Sequence, residues 1–149
     1  MAAALGMATA PAALAASPFD SLAGAWSGGG RVTFEGGQSE RLRCNAQYRS
    51  SGSGQRLGLA IRCASPSSAF ELRSDLAYRA GRVSGNWQER TLGASGDATG
   101  RADSSRVVLR FSGAVSGSMV VALSGPSQTV TIATQGTALR GIRMSLRRR

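Results

Sequence analysis

A small closed barrel, an up-and-down antiparallel all-β meander of about 8–10 strands, is the fold class predicted for this chain; a β-sandwich is the alternative. Three observations predict it. From Trp26 onward apolar residues recur at every second position, the period of a strand with one buried face. Gly/Ser-rich turns separate these runs at roughly 10–15-residue spacing. A series of hairpins with one apolar face leaves exposed edges unless it closes on itself.

The elements follow in order. Residues 1–19, MAAALGMATAPAALAASPF, carry no charged side chain, and ALAA at 13–16 has the small residues of a signal-peptidase site. They read as a signal peptide or, alternatively, as a disordered Ala-rich leader. A single barrel domain is expected over 20–149. Its first strand is LAGAWSGGGRVTF, 22–34, with Trp26, Gly28, Gly30, Val32 and Phe34 in one phase. RLRCNAQY, 41–48, puts Leu42, Cys44, Ala46 and Tyr48 on one face, and RLGLAIRC, 56–63, does the same with Leu57, Leu59, Ile61 and Cys63. Folding this pair about Ser53–Gly54 sets 48 against 59, 46 against 61 and 44 against 63, so that all apolar positions meet. Cys44 and Cys63 then stand opposite each other at disulfide distance, with two free buried thiols as the alternative. FELRSDLAY (70–78) and RVSGNWQERT (82–91) follow, the second with Val83, Gly85 and Trp87 inward. SGDATGRAD (95–103), RVVLRFSGAV (106–115), SMVVALSG (118–125), SQTVTIATQG (127–136) and ALRGIRMSL (138–146) complete the series. No convincing helical period occurs beyond the leader.

The 149 residues suit one domain. All 18 basic residues are Arg, the net charge is +10 and the pI is about 11.6. This charge favours anionic partners. Two cysteines, an even number, fit an oxidising compartment. With the leader they predict a periplasmic or secreted protein. No stretch is long and apolar enough for a membrane-spanning helix. An arginine-rich exterior is the inverse of an outer-membrane barrel, so a soluble barrel is expected.

There is no His. That removes the commonest general base and most zinc and haem ligation, so no metal, no cofactor and no enzymatic activity are expected. The eight acidic residues fall mostly on outer faces, where pairing with a neighbouring Arg is expected. Glu89 instead continues the inward phase of Trp87, to pair with an Arg at the barrel mouth or to be turned out by a bulge. Aromatic residues share the core phase, which argues against nucleic-acid binding by base stacking. Trp26, Tyr48, Trp87 and Phe111 are the ligand-binding candidates. Small inward residues (Gly28, Gly30, Gly85, Gly96, Ala98, Gly100) either leave volume for a ligand or let strands coil sharply. Trp26 itself is either an end plug whose indole N–H needs a buried acceptor or a ligand platform.

The opening strand resembles that of calycin-type barrels. Lipocalins carry Gly-x-Trp there, matched by Gly24, Ala25 and Trp26. Nitrobindin-type ten-stranded barrels begin Gly-x-Trp-x-Gly-x-Gly, matched by Gly24, Trp26, Gly28 and Gly30. The lipocalin resemblance implies a late Arg packed across the Trp, a part for Arg140 or Arg143. Two departures stand out: the His that holds haem in nitrobindin-type barrels is missing, and so is the late helix of lipocalins. Leu-Ala-Gly-x-Trp also resembles the start of small secreted bacterial metalloprotease inhibitors, in which an extended N-terminal segment enters the protease; SPFDS, 17–21, would take that role.

Two functions follow as expectations. The first is an exported, non-enzymatic barrel that binds a small apolar or amphipathic ligand. The second is an envelope interaction protein, either a protease inhibitor or a barrel associated with an anionic polymer such as lipopolysaccharide.

Overall fold

The structure is a computed structural model and describes residues 2–8 and 17–149. The ALAA site at 13–16 lies outside these. A short helix, α1 (Phe19–Leu22), leads into β1 (Gly24–Phe34), β2 (Ser39–Ser51), β3 (Arg56–Ala64), β4 (Ala69–Arg79) and β5 (Arg82–Glu89). Then come β6 (Ala94–Ala102), β7 (Arg106–Gly113), β8 (Ser116–Ser124), β9 (Ser127–Gln135) and β10 (Leu139–Arg148). Each strand pairs with the next, and β10 pairs antiparallel with β1 to close the ring. The expected up-and-down barrel forms, at the upper end of the expected strand number.

Alternation decides what is buried. In β2, Leu42, Cys44, Ala46 and Tyr48 are buried while Arg41, Arg43, Asn45 and Gln47 between them are exposed. The β2–β3 hairpin has the expected register, with Tyr48 across from Leu59, Ala46 from Ile61 and Cys44 from Cys63. The two cysteines form a disulfide across 4.2 Å between Cα atoms.

Closure depends on β1. A Cβ on Gly30 would lie 1.8 Å from the Arg143 carbonyl oxygen, and one on Gly28 would lie 2.0 Å from that of Ser145. The backbone of β10 therefore occupies the space that a side chain would need. Inward glycines of β5 and β6 meet neighbouring backbone in the same way. Of the two roles expected for these glycines, strand approach and coiling is the one the geometry fits, because neighbouring backbone occupies the space a side chain would need.

Helix α1 departs from the extended segment at 17–21 that the inhibitor resemblance implies. Pro18 sits at the N-cap, and its carbonyl accepts the Leu22 N–H at 2.9 Å. Phe19 and Leu22 are fully buried, and Phe19 meets Tyr78 edge-on at 5.9 Å between ring centroids. One helical turn is too short to show a period in sequence. Because its two apolar residues seal the barrel, this segment is a plug, not the free extended arm of the inhibitor reading.

The barrel thus has two unlike ends. One carries α1 and the turns after β2, β4, β6 and β8; the other carries the turns after β1, β3, β5, β7 and β9.

Candidate functional site

At the plugged end the Trp26 indole N–H donates to the Leu22 carbonyl at 2.8 Å, the buried acceptor that its burial requires. The Arg148 guanidinium lies 4.4 Å from the Trp26 ring centroid. It also donates to the carbonyls of Ala23, at 2.7 Å, and Ser21. The late Arg is therefore Arg148 and not Arg140 or Arg143. The β1–β10 register puts Arg148 across from Trp26 and Arg143 across from Arg31. Tyr48 is equally buried and donates its hydroxyl to Gln128 Oε1 at 2.7 Å. Burial pushes the Tyr48 phenol above its usual range.

The other end is open. A cavity of about 230 Å³ lies there, with Phe34, Phe70, Trp87, Leu92, Phe111 and Leu139 in its apolar wall. Trp87 reaches it because Gly96 faces it across the β5–β6 pair; a Cβ on Gly96 would come within 2.8 Å of Trp87 Nε1. The indole N–H is satisfied by the Ser112 carbonyl at 3.1 Å, and Phe111 packs beside the ring at 5.8 Å and 52°. Phe34, Phe70, Phe111 and Leu139 are only half-buried, and Leu92 on the rim is 71% exposed.

Of the four sequence candidates, Trp87 and Phe111 line this cavity, whereas Trp26 and Tyr48 belong to the plugged end. Phe34, Phe70, Leu92 and Leu139 were missed as site residues. The first two are legible as inward aromatics, but only the topology shows that they share one rim.

Glu89 also borders the cavity and is 9% exposed. It points inward, as its phase in β5 predicts, but its partner is not an Arg. The carboxylate accepts backbone N–H groups of Glu71 at 2.9 Å, Thr91 at 3.1 Å and Leu92 at 2.6 Å. It ties the β5–β6 turn to β4, and backbone donors satisfy a buried carboxylate as a cation would.

Acidic residues elsewhere are used in the same way. Among the described residues, ion pairs involve Glu71 alone, with Arg62 at 3.5 Å and Arg73 at 3.0 Å. The Arg73 hydrogen bond holds the Glu71 carboxyl below its ordinary pKa. Hydrogen bonds from Ser67 and Ser105 do the same for Glu40 and Asp103. The expected general pairing of acids with arginines is thus corrected: serine hydroxyls and backbone N–H groups take most of the contacts.

No protein-family model matches this sequence, and no curated protein does. Solved structures do resemble it. Rv2717c from M. tuberculosis matches with a TM-score of 0.66 at 13% identity, covering 91% of this chain and 99% of its own. The S-type phycobiliprotein lyase CpeS from Guillardia theta matches with a TM-score of 0.56 at 13% identity, covering 88% of this chain and 89% of its own. At such identity the likeness is one of fold, a closed antiparallel barrel.

Proposed function

We propose that the protein is an exported binding barrel that takes a small apolar or amphipathic ligand at its open mouth. The observation that carries this reading is the asymmetry of the two ends. Trp26, Phe19 and Leu22 are sealed at one end, while at the other three phenylalanines and two leucines are left partly open around a cavity that the buried Trp87 also lines. Apolar walls with a few polar groups at the rim are the usual make-up of a small-molecule site. Ser68, Thr134 and Thr137 supply that rim. Binding is favoured over catalysis because the one carboxylate at the cavity, Glu89, has its oxygens engaged by three backbone N–H groups. The likeness to a phycobiliprotein lyase supports a barrel that handles another molecule without indicating which one. Export is supported by the Cys44–Cys63 disulfide.

The test is titration of the full chain with 1-anilinonaphthalene-8-sulfonate and with decanoate, alongside the Phe111→Arg variant. Saturable uptake is expected, weakened about tenfold or more by a charge placed in the apolar wall, a loss comparable to that of one buried aromatic contact. Absence of saturable uptake of either probe, or identical affinity in Phe111→Arg, overturns the reading.

A further inference from the structure

The outer wall formed by β10, β1 and β2 concentrates positive charge. Arg31 lies directly across from Arg143 on one side and from Arg41 on the other. Arg43 is close by, across from Gly29. All four are exposed. Like charges directly opposed on adjacent strands destabilise a sheet, so this row is unfavourable in the protein by itself. Among the described residues no ion pair reaches this row: both go to Glu71 on β4. The nearest acid in sequence, Glu40, is engaged by the Ser67 N–H and hydroxyl. Among the described residues the Arg31 guanidinium donates to the Ser39 hydroxyl alone, at 3.2 Å.

These arginines border an open groove whose floor is Gly29 and Gly30, with Ser145 beside it. The bare floor lets a ligand approach the backbone between the guanidinium groups. A guanidinium matches phosphate or sulfate through two parallel N–H donors. Three of them in line across two strand spacings cover roughly 10 Å, more than one small oxyanion spans. Among the described residues no aromatic side chain is strongly exposed, so the wall offers no platform for stacked bases.

We propose that this groove binds a linear polyanion through successive phosphate or sulfate groups. The site is separate from the mouth cavity and does not depend on the ligand proposed there.

The test uses the full chain with fluorescent heparin oligosaccharide and with inorganic polyphosphate, followed by anisotropy over a salt series. Arg31→Gln/Arg143→Gln is compared with Arg82→Gln/Arg101→Gln. The second pair removes the same charge from another in-register row, with Arg82 across from both Arg79 and Arg101. It lies on β5 and β6, on the far side of the ring from β1. The groove variant is expected to lose about tenfold or more in affinity and to show a flatter salt dependence, with the control much less affected. A preference for heparin or for polyphosphate identifies sulfate or phosphate as the group read, and either supports the site. The groove variant should also melt at or above the parent temperature, because the opposed charges are relieved. Equal losses in the two variants overturn the proposal, as does a lack of salt-sensitive binding to both polymers. Competition by free phosphate at the same charge concentration, or binding to anionic vesicles with neither polymer bound, also overturns it. So does a groove variant that melts below the parent, since the arginines would then serve the wall itself.

Discussion

Trp26 is held by contacts from opposite ends of the chain, the Leu22 carbonyl before it and the Arg148 guanidinium after it. Trp26→Ala is expected to lose about 3–5 kcal/mol in urea unfolding, the range for truncating a buried aromatic. Arg148→Ala should cost less, since an exposed cation–π contact contributes about 0.5–1 kcal/mol. Tyr48 is legible as inward, but its partner Gln128, 80 positions away, is not. The Gln128 side-chain N–H₂ has no partner among the described residues. Tyr48→Phe should therefore be destabilising, while Tyr48→Phe/Gln128→Leu should cost less than the sum of the single changes, because both polar groups are removed together. Tyr48 also sets an alkaline limit. Its phenol is raised in the folded protein, so its contribution is fully present below the unfolded value and is lost as the unfolded state ionises above about pH 10. Thermal melts between pH 8 and pH 11, taken as a rough working range, should fall more steeply in the parent than in Tyr48→Phe.

At the scale of elements, the β2–β3 hairpin and the β1–β10 seam differ in how they are specified. The hairpin register follows from its side-chain alternation and short turn, and Cys44–Cys63 closes it. Replacing both cysteines by Ala is expected to lower stability by about 3 kcal/mol in the chain-entropy view, measurable as a shift in denaturant midpoint. The seam joins residues more than a hundred positions apart. A period of two permits any even shift there, which is why Arg140, in the same phase as Arg148, is as reasonable in sequence; Arg143 lies in the opposite, outward phase. Gly30→Ala should open the seam, because the new methyl would meet the Arg143 carbonyl oxygen. Hydrogen exchange should rise in β1 and β10 before it rises in β2–β3.

For the whole molecule, charge is the dominant surface property. All eighteen arginines are exposed, and the acids are engaged mainly at turns and loops. Glu40, Glu71 and Asp103 have lowered pKa values. Their contributions are present above the ordinary carboxylate range and are lost as pH falls through the depressed values, below about pH 4. Melting temperatures between pH 7 and pH 3 should therefore decline mainly at the acid end of this rough range, with a smaller decline at high salt, where exposed charges are screened.

The sequence by itself determined an all-β chain, a closed meander, the faces that turn inward, the β2–β3 register with its disulfide, and the absence of histidine chemistry. These rest on local information, namely alternation, turn composition and residue type. Tertiary structure decided the rest: the seam register, Arg148 over Trp26, the α1 plug, the backbone partners of Glu89 and the open end where Trp87 and Phe111 meet Phe34 and Phe70. Each of these depends on which distant residues closure brings together, and a two-residue period repeated around ten strands leaves that choice to the packed barrel.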